Sequence, residues 1–203
     1  MGESGIRLLG VSGSPRFEAT HYVVNEALSY ARDHHGAEVY YFSVRGKTID
    51  FCVHCDYCIR KKQGCARKDD VVDLYPKMQW AHAWILGSPC YQGQISAQLK
   101  AVLDRCRALV AQDPKVFKNK VGMGIAVGGD RTGGQELVLQ SMIDFYLINE
   151  MIPVGGGSFG ANLGGALWSQ DKGAEGAKAD HDGLASVRRT VDRLIEVART
   201  FHG

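Results

Sequence analysis

Five times along this chain an apolar run of strand length is followed by a stretch with helical period, and that alternation restricts the fold more than any other feature. Ile6-Arg7-Leu8-Leu9-Gly10-Val11 is the first run. Residues 20–35 then place Val23, Val24, Ala27, Leu28 and Ala31 on one helical face. Residues 37–44 form the second run, with the β-formers Val39, Tyr40, Tyr41 and Phe42. Asp69-Asp70 are placed to cap a short helix through Met78, which Pro76 makes irregular. The third run, 81–87, carries Trp84, Ile85 and Leu86, and residues 95–109 are helical with Leu99, Val102, Leu103 and Cys106 on one face. The fourth run, 121–127, leads to a helix ending near Asn149, and Met151 to Val154 is a short fifth run. Residues 155–183 are Gly-rich and weakly patterned around Trp168, and are expected to form an extended arm or long loop. Residues 183–200 close the chain with an amphipathic helix that turns Leu184, Val187, Val191, Leu194, Ile195 and Ala198 inward. The expectation is a single α/β domain over 1–203, with an open parallel sheet and helices on both faces.

Such sheets bind ligands at the carboxyl ends of their strands. Three loops fall there. Ser12-Gly13-Ser14-Pro15-Arg16 follows the first strand and runs into a helix N-terminus, where backbone N–H groups, hydroxyls and the helix dipole attract an anion. It matches neither the Walker pattern nor G-x-G-x-x-G, and a plain turn with a helix cap is the bland alternative. Ser88-Pro89-Cys90-Tyr91-Gln92-Gly93-Gln94 follows the third strand. Gly128-Gly129-Asp130-Arg131-Thr132-Gly133-Gly134-Gln135-Glu136 follows the fourth, and its glycines let backbone approach a flat ligand. Convergence of the three counts for more than any one alone. Cys90 and Cys106 stand apart from the other cysteines and read as core or pocket packing.

Between the second run and the Asp69 helix lies Cys52-Val53-His54-Cys55-Asp56-Tyr57-Cys58, with Cys65 six residues on, in a cysteine-rich loop at about 50–66. Three readings compete for this C-x2-C-x2-C-x6-C pattern. Thiolates at x2 intervals on a curled loop can bind an iron–sulfur cluster, and equal x2 steps favour this, although the fourth cysteine is distant and no proline follows it. They can instead bind zinc or act as redox thiols, pairing as disulfides included. Or they carry no ligand role. Arg60, Lys61, Lys62, Arg67 and Lys68 surround the stretch, as a dock for an acidic donor or as solvated loop charges.

The chain has 203 residues, 45% of them hydrophobic, enough for a sizeable core. Lys+Arg at 24 against Asp+Glu at 22 gives no electrostatic case for nucleic acid or an anionic membrane. No run is long enough to span a bilayer. Met1-Gly2-Glu3-Ser4-Gly5 lacks a signal pattern, so a cytoplasmic protein with reduced cysteines is expected.

The three loops carry a resemblance. Gly10-Val11-Ser12-Gly13-Ser14-Pro15-Arg16 resembles the FMN phosphate loop of the flavodoxin-like NADPH-dependent FMN reductase superfamily. Gly87-Ser88-Pro89-x-Tyr91-x-Gly93, with Ser96-Ala97-Gln98-Leu99-Lys100 behind it, resembles the second flavin loop, and Gly128-Gly129 through Gly133-Gly134-Gln135-Glu136 the third. The four-cysteine stretch narrows the match to the iron–sulfur flavoproteins. The resemblance implies a flavodoxin-like three-layer sandwich with a five-stranded sheet of order 2-1-3-4-5. It implies one FMN and one 4Fe-4S cluster per subunit, and a homodimer or homotetramer in which a cluster lies near a neighbour's flavin. By position, Cys52, Cys55, Cys58 and Cys65 would ligate the cluster. Ser12, Ser14, Arg16 and Thr20 would hold the phosphate. Ser88, Pro89, Cys90, Tyr91 and Gly93 would line the isoalloxazine ring, with Gly129, Arg131, Gly133 and Gln135 on its other side. Relatives often have Gly-Asn-Thr where this chain has Glu18-Ala19-Thr20, and an aliphatic residue at Cys90. The implied function is an electron-transfer flavoprotein. A one-electron donor such as ferredoxin would feed the cluster, then FMN, then an acceptor such as a quinone, oxygen or peroxide. No side chain need act as acid or base. The alternatives are a cluster-free NAD(P)H-dependent FMN or quinone reductase on the same fold, and a zinc-stabilised or redox-sensing interaction module.

Overall fold

Neighbouring residues of the central strands go to opposite faces, as the two-residue period of a pleated strand requires. The structure, a computed structural model, describes residues 5–203; residues 1–4, most of the stretch examined for a signal pattern, lie outside the described residues. In chain order the elements are β1 (Arg7–Ser12), α1 (Ala19–His35), β2 (Glu38–Ser43), α2 (Tyr57–Lys61), α3 (Asp70–Trp80), β3 (Ala83–Pro89) and α4 (Ala97–Arg105). Then follow α5 (Arg107–Gln112), β4 (Val121–Gly128), α6 (Gln135–Ile148), β5 (Ile152–Pro153), β6 (Gly165–Trp168), α7 (Gly173–Ala179) and α8 (His181–His202). Leu9, Val11, Trp84 and Leu86 join one core with α3, α4 and α6. Leu8, Ile85, Met123 and Ile125 join the other with α1 and α8. The three-layer α/β sandwich follows from covering both faces of a parallel sheet.

All strand pairs are parallel and the order is β2-β1-β3-β4-β5, the flavodoxin-like order. The last position is shared: β5 pairs with Val121–Gly122 and β6 with Ile125–Gly128, so six segments fill five places. This corrects the expected arm at 155–183, which holds β6 and α7 and folds back onto the sheet. Its weak pattern reflects short elements whose backbone bonds to β4 stabilise them, not their own periodicity. Two smaller corrections concern helices. The helical stretch 95–109 is broken at Cys106, directly after Arg105, the last residue of α4, whose side chain is held in a buried ion pair. The cysteine connection, expected to be irregular, contains the one-turn α2.

Glycines in the strands set how closely helices approach. A Cβ on Gly87 would lie 2.3 Å from Val24 Cγ2, so α1 seats on β3 only because that atom is missing. On the opposite face a Cβ on Gly122 would lie 2.5 Å from the ring of Tyr146, whose hydroxyl donates to the Met123 carbonyl at 2.7 Å.

Candidate functional site

At the carboxyl ends of β1, β3 and β4 one cavity is lined by Ser14, Arg16, Thr20, Pro89, Cys90, Tyr91 and Gly129. The loops that carry these residues are tied together by two buried serines, Ser88 and Ser96. Ser96 caps α4 by accepting from the Leu99 N–H at 3.1 Å, and its hydroxyl donates to the Gly13 carbonyl at 2.6 Å. Ser88 Oγ accepts from the Ser96 N–H at 2.9 Å and donates to the Pro89 carbonyl at 2.8 Å. The first loop is thereby tied to the second. Gly13 permits the crossing, since a Cβ there would meet Leu99 Cβ at 2.7 Å.

Not every residue that sequence comparison placed at the flavin lines this cavity. Ser12 is fully buried at the end of β1, and Ser88 is buried by the bonds just described. Gly93 takes a positive φ in the turn that bridges Tyr91 to Gln94. Gln135 folds the third loop: it accepts from the Gly133 N–H at 2.8 Å and donates to the Asp130 carbonyl at 2.7 Å. Arg131 lies over the Trp168 ring at 4.4 Å, and both residues, with Gln135, line a neighbouring cavity. The Trp168 indole donates to the Gly129 carbonyl at 2.8 Å, so β6 braces the third loop of its own chain.

The cavity also gathers Glu18, Ser169, Asp171 and Gly173, which sequence reasoning missed. The missed signal is in Trp168-Ser169-Gln170-Asp171-Lys172-Gly173, another strand end followed by a polar turn and a helix. Glu18 leaves its own helix uncapped and accepts from the Ala174 N–H at 3.3 Å at the start of α7. The first N–H groups of α1 therefore stay available beside Arg16, which suits a phosphate. The carboxylates of Glu18 and Asp171 oppose that attraction. Burial pushes the Cys90 thiol up to about 11, so it is neutral at pH 7.

A second, smaller cavity is lined by Cys52, Cys55, Cys58 and Cys65 together with Arg67, Arg105 and Arg107. All six cysteines of the chain are free thiols. Among the described residues no three His, Cys, Asp or Glu side chains are gathered closely enough to share one metal ion. Tetrahedral zinc, with Zn–S of about 2.3 Å, would draw its sulfurs to within about 3.8 Å of one another. A four-iron cluster asks for less convergence, because each thiolate takes its own iron. The basic lining also suits an anionic thiolate-ligated group. Arg67 Nε and Arg105 Nε are buried N–H donors without a partner, each costing about 1–3 kcal/mol if left so. The thiols and these donors fit such a cluster.

Comparison with known proteins bears on both cavities. The family model for NADPH-dependent FMN reductase matches residues 6–165. An iron–sulfur flavoprotein of Methanocaldococcus jannaschii is 54% identical, over 98% of this chain and all of that protein. One from Archaeoglobus fulgidus is 50% identical over 97% of this chain and 99% of its own length. Among solved structures, RosB with bound 8-demethyl-8-formylriboflavin-5'-phosphate superposes with a TM-score of 0.73 at 17% identity, covering 97% of this chain and 80% of its own. A WrbA-like flavodoxin from Agrobacterium tumefaciens gives 0.64 at 18%, covering 99% of this chain and all of its own. At those identities the structures speak to the fold alone. The near-full-length relatives and the family match say more: this chain belongs to the NADPH-dependent FMN reductase family, among its iron–sulfur flavoproteins, and is a flavin-dependent oxidoreductase.

Proposed function

We propose that this protein takes single electrons from a donor such as ferredoxin, through a 4Fe-4S cluster and FMN, to an acceptor such as a quinone, oxygen or peroxide. The observation that carries the reading is the set of four free thiols lining one cavity beside buried, unpartnered arginine N–H groups. When bound, the cluster supplies one-electron chemistry, and the flavin converts between single electrons and pairs. The chain's own residues do the holding. Cys52, Cys55, Cys58 and Cys65 are the proposed cluster ligands. Arg16, Ser14, Thr20 and the α1 N-terminus are the proposed phosphate site, with Ser12 buried at the end of β1 where the loop begins. Pro89, Cys90, Tyr91 and Gly129 are the proposed lining of the ring, shaped by Ser88, Gly93, Arg131, Gly133 and Gln135.

A homodimer or homotetramer is part of the proposal. An apolar groove lies between α4 and α6, lined in part by Tyr91, Ile95, Leu103, Phe145 and Ile148, and Ile148 is 84% exposed. A patch of that kind marks an interaction surface. Six free thiols accord with a reducing compartment, and the cytoplasm is proposed. Among the described residues no helix is long and apolar enough to cross a membrane.

The test is the ultraviolet–visible spectrum of protein purified without oxygen, with iron, sulfide and FMN counted. About four irons and four sulfides per chain, with FMN, support the proposal. A clean flavin spectrum without iron would replace it with the cluster-free reductase that accepts hydride from NAD(P)H. A colourless protein would favour the zinc or redox-sensing module.

A further inference from the structure

Arg67 and Arg105 share an arrangement that their ion pairs do not account for. Arg67 spends Nη1 on Asp50 at 2.7 Å. Arg105 spends Nη1 and Nη2 on Asp69, at 2.7 and 2.8 Å, and its side chain is 1% exposed. In both residues Nε–H is left buried and unpartnered, and both line the four-cysteine cavity. Arg105, held through both terminal nitrogens, cannot swing to find another acceptor, and Arg67 is anchored through Nη1. The acceptors that this cavity would gain on loading are thiolate and sulfide sulfurs. Hydrogen bonds to cluster sulfurs draw off negative charge and favour the reduced form.

We infer that Arg105 and Arg67 donate from Nε to sulfurs of the bound cluster and raise its reduction potential. This rests on the cluster reading above. The arginines act as positioning residues: one-electron reduction adds charge to the cluster, and the two N–H groups are already in place to receive it, with no proton moved. The Asp69 pair holds Arg105 still, and the Asp50 pair does the same for Arg67.

The experiment uses protein purified without oxygen, with iron and sulfide counted and arginine labelled with heavy nitrogen. Hyperfine spectra of the reduced cluster should show coupling to arginine nitrogen, and part of it should vanish in Arg67→Met at unchanged iron content. The midpoint of that variant should fall, by about tenfold in the reduced-to-oxidised equilibrium, or about 59 mV for one electron. Arg67→Lys keeps the charge but lacks Nε–H, so it should lose the same coupling, and it carries both readings if Arg67→Met assembles no cluster. An intact cluster without arginine coupling, or an unchanged midpoint in both variants, would overturn the inference alone. Wild-type protein that assembles no cluster would overturn the cluster reading and this inference with it.

Discussion

Arg105 donates from both terminal nitrogens to the carboxylate of Asp69, at 2.7 and 2.8 Å, with the two side chains 1% and 2% exposed. The pair also gathers the two ends of the cysteine segment. Asp69 caps α3 through the Val71 N–H and accepts from the Asp50 N–H at 2.8 Å, and Arg105 donates to the Asp50 carbonyl at 2.9 Å. Asp50 and Arg67 bracket the cysteine segment, so one buried pair pins both of its ends to α4.

Removing one partner strands the other in the core. Asp69→Ala should cost about 3–5 kcal/mol, read as a lower urea midpoint. Burial works against the Asp69 charge, but the bonds from Arg105 and from backbone N–H groups win and hold its pKa below the ordinary value. Its contribution is therefore complete above the unfolded pKa and fades as pH falls through the folded one.

Cys55→Ala should abolish cluster assembly and leave FMN binding largely intact, because the two cavities share no residue. Iron and flavin counts on the purified variant check this; a full iron complement would remove Cys55 from the ligand set.

Gly87→Ala should lower stability by about 1–3 kcal/mol, since the new methyl would meet Val24 at 2.3 Å. Displacing α1 also displaces the proposed phosphate site at its N-terminus. Thermal unfolding and FMN titration of the apoprotein should both register the change.

Glu18→Gln should tighten FMN several-fold, about 0.5–1 kcal/mol for removing one partly solvated like charge. The amide keeps an acceptor for the Ala174 N–H. Fluorescence titration at low and high salt checks it, and the gain should shrink as salt screens it.

His82 stacks on His202 at 4.7 Å. Burial first, then Arg7, His202 and Lys120, lower its pKa to about 4. Between pH 6.5 and about 4 the unfolded chain binds the extra proton, so stability should fall on acidification through that window. The loss attributable to His82 is about 1–2 kcal/mol after allowance for solvent screening. Urea midpoints of the native chain and of His82→Gln across that range should diverge; parallel curves would remove His82 as a cause.

The layer order was legible because it follows from local pattern. Runs such as Trp84-Ile85-Leu86 are apolar on both faces, which only a doubly covered strand requires, and small-residue turns mark where those strands end. The spacing of Cys52, Cys55, Cys58 and Cys65 is legible for the same reason: these residues are neighbours in sequence. Ser88 shows the limit. Its position in the second loop is read directly, but its hydroxyl is engaged by Ser96 and Pro89, and no local pattern reports that.

By itself the sequence determined the alternation of strands and helices, the loops at the carboxyl edge and the cysteine motif, all properties of segments a few residues long. Tertiary structure alone decided that residues 155–183 form β6 and α7 and bring the Ser169–Gly173 turn to the first cavity, because those short elements are stabilised by bonds to β4 and by Glu18, far away in the chain. It alone placed Arg105 beside the thiols, 36 residues from its partner Asp69. A buried charge is stable only where a distant chain segment delivers its counter-charge, and that meeting is arranged by the whole fold.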